Sequence, residues 1–212
     1  MTGKKTVVGA GFALAFAATA AWSAGPTQQV EAPAPGLAVA TFAGGCFWCM
    51  EPPFDNTEGV VSTTSGYTGG TKDGATYEQV VRGGTGHKEA VRVVYDPQKV
   101  TYAKLLDVYW RNVDPVDARG QFCDKGEPYK TAIFVSDDEQ RRLAVASKAA
   151  LERSGRFDMP VTVTIEPARS FWAAEDYHQD YYLKNPAKYK FYRWNCGRDA
   201  RLEQVWGAAA TQ

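Results

Sequence analysis

The order of the predicted elements and the make-up of the C-terminal segment assign this sequence to the α+β class. We expect a ferredoxin-like (split βαβ) two-layer α/β sandwich with an aromatic-rich C-terminal extension. The first six predicted elements run β-α-β-β-α-β, the order of a split βαβ unit whose helices cover one face of a sheet. From Phe171 onward, aromatic side chains are dense and Asn185-Pro186 breaks the chain. This pattern is typical of short helices and coil wrapped over a core.

Each element follows from its apolar pattern. Strands are predicted over residues 37–43, 60–65, 89–95 and 131–135 and around Val161, Val163 and Ile165, and helices from Cys46 to Phe54, over residues 101–111 and from Ser136 to Ser154. Ser136 and Glu139 have the spacing of a capping box at the start of the long helix, and Gly155 ends it. Pro52 and Pro53 remove two ladder N–H groups from the helix at Cys46, so that helix is kinked or its regular part starts later.

The N-terminal residues 1–23 are typical of a secretory signal peptide. Lys4 and Lys5 precede an apolar run, and Ala21 and Ser23 supply small side chains for a cleavage after Ser23. The alternative is an uncleaved N-terminal segment that anchors the protein in a membrane. In both cases we expect the body of the protein to be exported, to the periplasm.

Residues 24–36 hold three prolines and no apolar period, so we predict a linker there and a single domain over residues 37–212. Loss of the signal segment removes two lysines and no acidic residue, which takes the formal net charge from +0 to −2. That balance indicates neither a nucleic-acid surface nor a membrane surface. Four cysteines are too few for a disulfide-built scaffold and point to redox chemistry instead.

The first cysteine, Cys46, lies at a strand-to-helix junction beside two large aromatic side chains, Phe47 and Trp48. A thiol there faces the positive end of the helix dipole, so we expect its pKa to be lowered. Cys46 and Cys49 form a C-x-x-C pair, which favours a thioredoxin-like disulfide exchanger. The bulky Phe-Trp pair between them suits a pocket for a small apolar group beside a nucleophile. A buried structural cysteine in an aromatic core is a further alternative.

Glu89 begins a predicted strand after a glycine-rich turn. A glutamate at such a position is usually a solvated edge residue, but a buried one is a candidate acid with a raised pKa. The turn lacks the Gly-Lys-Ser/Thr of a phosphate loop, and His87-Lys88-Glu89 lacks the downstream Pro-Cys-x-x-Cys of a zinc deaminase. His87 and His178 with four scattered cysteines do not have the spacing of a zinc site, so we expect no metal.

Two more thiols lie far along the chain. Cys123 is in a loop beside an acid and near a tyrosine, which by itself is a weak signal because loops carry such residues routinely. Cys196 lies in the aromatic-rich tail, where it is poorly explained as core and well placed to swing onto another cysteine.

Several motifs, in this order, closely resemble the peptide methionine sulfoxide reductase A family: Gly45-Cys46-Phe47-Trp48-Cys49-Met50-Glu51, Gly86-His87-Lys88-Glu89-Ala90-Val91, Tyr95-Asp96-Pro97 and Gln121-Phe122-Cys123-Asp124-Lys125-Gly126-Glu127-Pro128-Tyr129. The resemblance covers residues 37–206. It implies reduction of the S epimer of methionine sulfoxide, free or in proteins, and for this exported chain the repair of oxidised exported proteins. It also implies no cofactor beyond an external thioredoxin-like dithiol, and we expect a monomer.

Carried onto this sequence, the resemblance implies that Cys46 is the nucleophile toward the sulfoxide sulfur, with Phe47 and Trp48 forming the pocket for the S-methyl group. Glu89 takes the position of the proton donor to the sulfoxide oxygen. Sulfoxide oxygen is a poor leaving group unless it is protonated, so an acid and neutral O–H donors must meet the charge that develops on it.

The resemblance further implies that Tyr77 and Tyr129 hydrogen-bond this oxygen and that Asp124 orients the substrate. Cys196 resembles the cysteine that resolves a sulfenic acid on the nucleophile by forming a disulfide with Cys46. Cys49 is a possible resolving thiol too, but a disulfide between positions i and i+3 of a regular helix is strained, which favours Cys196.

Two other functions remain open on the sequence. One is a general periplasmic thiol–disulfide exchanger acting through Cys46 and Cys49. The other is an aromatic-rich exported binding module. Replacing Glu89 with Gln separates them from a reductase, because only the reductase depends on that acid.

Overall fold

The computed structural model describes residues 27–207. The predicted signal peptide, its cleavage site and the first residues of the predicted linker lie outside this range. Over residues 27–207, no helix has both the length and the apolar character needed to cross a membrane.

Strands and helices alternate along most of the chain. The strands are β1 (Ala38–Ala43), β2 (Val60–Thr68), β3 (Lys88–Tyr95), β4 (Gly120–Gln121), β5 (Asp124–Lys125), β6 (Ala132–Val135), β7 (Thr164–Pro167) and β8 (Trp172–Ala173). The helices are α1 (Phe47–Asp55), α2 (Tyr77–Arg82), α3 (Tyr102–Arg111), α4 (Asp138–Arg153), α5 (Tyr181–Lys184), α6 (Pro186–Asn195) and α7 (Arg198–Trp206), with a 3-10 turn at Glu127–Tyr129.

A six-stranded sheet in the order β7-β6-β1-β3-β2-β8 forms the centre of the molecule. Neighbouring strands are antiparallel except for β6 and β7, which are parallel. The α+β class predicted from the sequence is therefore confirmed. The plain β-α-β-β-α-β order is not, because the short helix α2 intervenes between β2 and β3. The strand predicted around Val161 is shifted, since β7 begins at Thr164.

Strand β3 is buried on both faces. The predicted split βαβ unit has helices on only one face of its sheet. Val91 and Val93 point into the larger apolar cluster beneath α1, α3 and α4. Ala90 points the other way, where it packs with Phe134 and Phe171. Part of the second covering layer thus comes from the start of the C-terminal extension, which lies far from β3 in the sequence.

The described part of the predicted linker, residues 27–36, packs against the sheet. The Val30 N–H donates to the Phe171 carbonyl at 2.9 Å, and the Ala173 N–H donates to the Gln28 carbonyl at 2.9 Å. Residues 28–30 therefore extend the sheet beyond β8, and the bounds of the linker and of the domain stay predictions. Prolines alone did not reveal this pairing.

Helix α1 begins directly after Cys46, which is its N-cap residue with φ −50° and ψ 118°. Pro52 and Pro53 both lie inside the helix. The regular part of α1 therefore starts directly after Cys46, and the expectation of a later start is wrong. Because the N-cap residue has a non-helical backbone, Cys46 and Cys49 are not two members of one regular helical turn.

The long helix α4 is capped by Asp137, one residue after the predicted cap Ser136. The Asp137 carboxylate accepts from the Gln140 N–H at 2.7 Å, and the Gln140 side chain accepts from the Ser136 N–H at 3.1 Å. The predicted C-terminal end is confirmed, because Gly155 has φ +66°, a left-handed conformation that stops a helix.

The C-terminal extension forms three short helices, as predicted, and the first of them, α5, packs against α1. Its last helix, α7, is anchored by Arg198, which is 1% exposed. The guanidinium donates to the carbonyl of Asn112 at 2.6 Å and to that of Gly44 at 3.3 Å. Gly44 is just ahead of α1, so this contact joins the extension to the region of the first cysteine.

Candidate active site

The link between β1 and α1 places the Cys46 thiol at the end of the sheet. Gly45 precedes it with φ +81°, and a β-carbon there would collide with the side chain of Gln121. Both facts require glycine at this position. The turn therefore presents Cys46 at the N-terminus of α1, as the sequence predicted.

Cys46 and Cys49 form a buried pair of free thiols, 6% and 1% exposed. Burial raises the pKa of Cys46 well above its ordinary value. A hydrogen bond from Cys46, together with the charges of Arg198 and Arg193, lowers the pKa of Cys49 to about 7. The two sulfurs therefore hold one proton between them near neutral pH. The predicted lowering of the Cys46 pKa is wrong, because desolvation outweighs the dipole of α1.

Glu89, the second residue of β3, is 1% exposed, so the solvated-edge alternative does not apply. Its Oε2 accepts from the Phe47 N–H at 3.0 Å, which ties the carboxyl to the first turn of α1. Desolvation by burial raises the pKa of Glu89 to about 8. At neutral pH this group is protonated and carries a proton that it can give away.

Two tyrosine hydroxyls share the neighbourhood of Glu89 and Cys46. Tyr77 is the first residue of α2 and Tyr129 the last of the 3-10 turn, and the charges of Glu89 and Cys46 influence the pKa of each. Burial raises the pKa of Tyr77 to about 12 and that of Tyr129 further. Both remain neutral O–H donors throughout the physiological range.

The aromatic side chains after Cys46 form part of a larger aromatic cluster. Phe47 is buried, and its ring lies 5.0 Å from that of His178. The half-buried Trp48 stacks on Tyr181 with ring centroids 3.8 Å apart, and Tyr192 meets its edge at 5.7 Å. These rings give the thiol an apolar wall, as the sequence predicted for Phe47 and Trp48.

His178 is a residue whose place in the site the sequence analysis missed. Its Nδ1 accepts from the Trp48 indole N–H at 3.0 Å, while its buried Nε2 has no protein partner. Burial lowers the pKa of His178 to about 4, so the ring is neutral. The sequence indicated only an aromatic-rich tail around His178. His178 and Trp48 are 130 residues apart, so no local pattern predicts their contact. His87, by contrast, accepts from the Gly70 N–H and bonds the Lys72 carbonyl, both in the loop after β2.

Tyr192, on α6, is a second missed residue. Its hydroxyl donates to the Asp124 carboxylate and lies close enough to the Cys46 thiol to influence its pKa. Asp124 is half-buried, and desolvation raises its pKa. In this structure Asp124, which was expected to orient substrate, holds the tyrosine that lies against the nucleophile.

Cys196 is bonded to Cys123, and the expected Cys46–Cys196 disulfide is absent from this structure. The Cα atoms of the two bonded cysteines are 5.0 Å apart, across 73 residues of sequence. Cys196 lies between α6 and α7, beside the β4–β5 hairpin that carries Cys123. The resolution of a Cys46 sulfenic acid by Cys196 belongs to turnover and stays a prediction; the structure shows Cys196 paired with Cys123.

Comparison with known proteins decides the family. The family model described as peptide methionine sulfoxide reductase matches residues 38–210. This chain belongs to that family. It is 52% identical over 167 residues to the peptide methionine sulfoxide reductase MsrA of Ligilactobacillus salivarius, a match that covers 79% of this chain and 96% of the relative.

Solved structures agree with the assignment to the peptide methionine sulfoxide reductases. Methionine sulfoxide reductase A of Corynebacterium diphtheriae is 32% identical, with a TM-score of 0.63 over 72% of this chain and 76% of that one. Mxr1 from Saccharomyces cerevisiae in reduced form is 30% identical, with a TM-score of 0.67 over 75% and 91%. The chain is thus an oxidoreductase of this family, as its motifs predicted.

The site of this peptide methionine sulfoxide reductase combines three kinds of group around one thiol. A pair of sulfurs shares a proton, a protonated carboxyl lies beside neutral tyrosine hydroxyls, and aromatic rings exclude water. Such a site can attack a soft, polarised atom and protonate the oxygen that this atom carries.

Proposed function

We propose that this protein reduces the S epimer of methionine sulfoxide, free or in proteins, to methionine, with Cys46 as the nucleophile. The observation that carries the proposal is the buried, protonated Glu89 beside the Cys46 thiol and the hydroxyls of Tyr77 and Tyr129. Phe47 and Trp48 provide an apolar surface on the other side for the S-methyl group. Methyl and oxygen would then have fixed, opposite places, which gives selectivity for one epimer.

The reaction transfers the sulfoxide oxygen to Cys46. The Cys46 sulfur attacks the sulfoxide sulfur while Glu89 protonates the oxygen, and the proton lost by Cys46 passes to the Cys49 sulfur. The attack forms a bond between the Cys46 sulfur and the methionine sulfur. The protonated oxygen then bonds to the Cys46 sulfur as both of these bonds to the methionine sulfur break, so methionine leaves with two more electrons than the sulfoxide and Cys46 becomes a sulfenic acid. Tyr77 and Tyr129 stabilise the charge that develops on the oxygen.

Cys49 is the thiol best placed to resolve this sulfenic acid. Its sulfur is hydrogen-bonded to that of Cys46, and Cys46 lies outside the regular helix, so the strain expected between positions i and i+3 does not arise. Cys46–SOH and Cys49–SH would give a disulfide and one water. Cys196 has no free thiol in this structure for that step.

An external dithiol of the thioredoxin kind would return the enzyme to its thiol form. The whole cycle uses cysteine chemistry, and membership of the family supports a reaction without a prosthetic cofactor. A general disulfide exchanger or a binding module is less compatible with two thiols buried this deeply. We further propose that the protein acts as a monomer.

We propose that this reductase works outside the cytoplasm, in the periplasm, on oxidised exported proteins. The proposal rests on the signal-peptide pattern of residues 1–23. This segment is either cleaved after Ser23 or kept as a membrane anchor. Cell fractionation and N-terminal sequencing of the mature protein test it. A full-length chain in the cytoplasmic fraction would contradict export.

The activity is tested with purified S and R epimers of a methyl sulfoxide substrate and dithiothreitol as reductant. We expect reduction of the S epimer only. Equal rates on both epimers would contradict the arrangement of methyl and oxygen, and no reduction of either would overturn the proposed function.

A further inference from the structure

A disulfide lies at the surface near the buried thiol pair. Cys123 is exposed at the tip of the two-residue loop between β4 and β5. The residue before it, Phe122, has φ +53°, a conformation that bulky residues rarely adopt, and its ring lies 4.4 Å from the guanidinium of Arg198. The loop is thus held so that the Cys123 sulfur meets Cys196 and faces solvent.

A short chain of contacts joins this disulfide to the nucleophile. The sulfurs of Cys123 and Cys196 and a carboxylate oxygen of Asp124 all lie within 4.8 Å of one another. Asp124 accepts from the Tyr192 hydroxyl, and Tyr192 is close enough to Cys46 to influence the pKa of its thiol. Cys196 is one helical turn after Tyr192, since its N–H donates to the Tyr192 carbonyl at 2.9 Å.

The buried pair has poor access for a protein reductant. Thiol–disulfide exchange needs direct contact of the attacking sulfur with the disulfide. Cys46 and Cys49 are only 6% and 1% exposed, whereas Cys123 is exposed to solvent. A folded dithiol protein therefore reaches the surface disulfide more readily than the buried pair.

We propose that Cys123 and Cys196 are a second redox-active pair, which accepts electrons from an external dithiol protein and passes them to the Cys46–Cys49 disulfide. This inference rests on the proposed function, because that function creates the inner disulfide. It assigns a role to Cys123, which the motifs left without one.

The electrons balance at each step. The external dithiol attacks the exposed Cys123 sulfur and releases the Cys196 thiolate, and its second thiol then frees Cys123. Cys196 attacks the Cys46 sulfur of the inner disulfide and releases the Cys49 thiolate. Cys123 attacks Cys196, which frees Cys46 and restores the outer disulfide. One dithiol has been oxidised and one inner disulfide reduced.

Local structure favours this route. Cys196 lies at the end of α6, and the next residue, Gly197, has φ +67°, so a glycine separates it from α7. A glycine has the widest backbone freedom of any residue, so the chain next to Cys196 can change direction there. The lowered pKa of Cys49 makes it the better leaving thiolate when Cys46 is attacked. Free inner thiols with a closed outer disulfide are the state that follows electron transfer.

The decisive experiment counts product without any reductant. The enzyme is fully reduced, freed of reductant and mixed with excess methyl sulfoxide of the S epimer. If the two dithiol pairs exchange electrons, the wild type should release two equivalents of product per enzyme. The variants Cys123→Ser and Cys196→Ser and the double variant should each release one. One equivalent from the wild type would overturn the proposal.

Steady-state rates give an independent test. We expect the ratio of the rate with reduced thioredoxin to the rate with dithiothreitol to fall at least tenfold in both single variants. A purely structural disulfide would lower both rates together and leave this ratio unchanged, which would also overturn the proposal. Peptide mapping of Cys123→Ser after turnover should find Cys196 bonded to Cys46. Failure of the wild type with dithiothreitol would instead contradict the proposed function itself.

Discussion

At the scale of single residues, Glu89 should control how activity depends on pH. Its pKa is about 8, so the acid form is present below that pH and is lost above it. We expect the rate to fall as pH rises through about 8 in the wild type. Glu89→Gln should lower the rate by roughly 10²- to 10⁴-fold and remove this fall, because Gln cannot donate an acidic proton.

Initial rates between pH 6 and pH 9.5 measure both effects, with thermal melting as the control for folding. A Glu89→Gln variant that keeps the wild-type rate would show that another group protonates the oxygen.

Burial of Glu89 also links folding stability to pH. Its folded pKa of about 8 lies above the ordinary value of 4.5, so the folded state binds the proton more tightly than the unfolded state. This contribution is fully present below pH 4.5 and is lost as pH rises through about 8. Urea unfolding at pH 6 and pH 9 should show a loss of stability that is smaller in Glu89→Gln. An equal loss in both proteins would assign the pH dependence to other groups.

Cys46→Ser should abolish sulfoxide reduction and leave the fold intact. A serine hydroxyl has nearly the volume of the thiol, but its oxygen is a much weaker nucleophile and does not give up its proton near neutral pH. The assay uses dithiothreitol, and circular dichroism checks the fold. Turnover above background by this variant would contradict the role of Cys46.

The motif residues of the site were predictable, and their partners were not. Cys46, Phe47 and Glu89 lie in short, recognisable runs. Tyr192 and His178 reach the site only through tertiary packing of the C-terminal extension, so no local spacing marks them. The pKa direction of Cys46 was wrong for a related reason, since burial is a property of the whole fold.

At the scale of elements, the cap of α4 can be measured. Asp137→Ala should cost about 1 kcal/mol of folding stability, because the Gln140 N–H loses its acceptor. Ser136→Ala is the matched control, and we expect its cost to stay within about 0.5 kcal/mol. Urea unfolding measures both. A larger loss of stability for Ser136→Ala than for Asp137→Ala would show that Ser136, the residue predicted from the sequence, is the N-cap.

Elements with their own apolar period were predictable, and those held by distant partners were not. Helix α3 begins at Tyr102 with Thr101 as its N-cap, close to the predicted start. Helix α2 has six residues and β8 only two, so neither carries a full period. Their positions depend on neighbours such as Glu175, which accepts from the Tyr77 N–H.

At the scale of the whole molecule, Arg198 joins the C-terminal extension to the body. Arg198→Met should cost at least about 2 kcal/mol, because buried carbonyls of Asn112 and Gly44 lose a charged donor. The matched control is Arg142→Met on the exposed face of α4, where we expect little change. Denaturant unfolding compares the two variants. Equal stability would show that the extension is held by its apolar contacts alone.

The pairing of residues 28 and 30 with the segment around β8 has a consequence for solubility. Strand β8 lies at one end of the sheet, and an open end offers unpaired N–H and C=O groups to a strand of another molecule. The N–H of Val30 and the carbonyl of Gln28 occupy such groups on Phe171 and Ala173. The N-terminal segment therefore shields the molecule from self-association, and a chain shortened to begin at Leu37 would expose this end to aggregation.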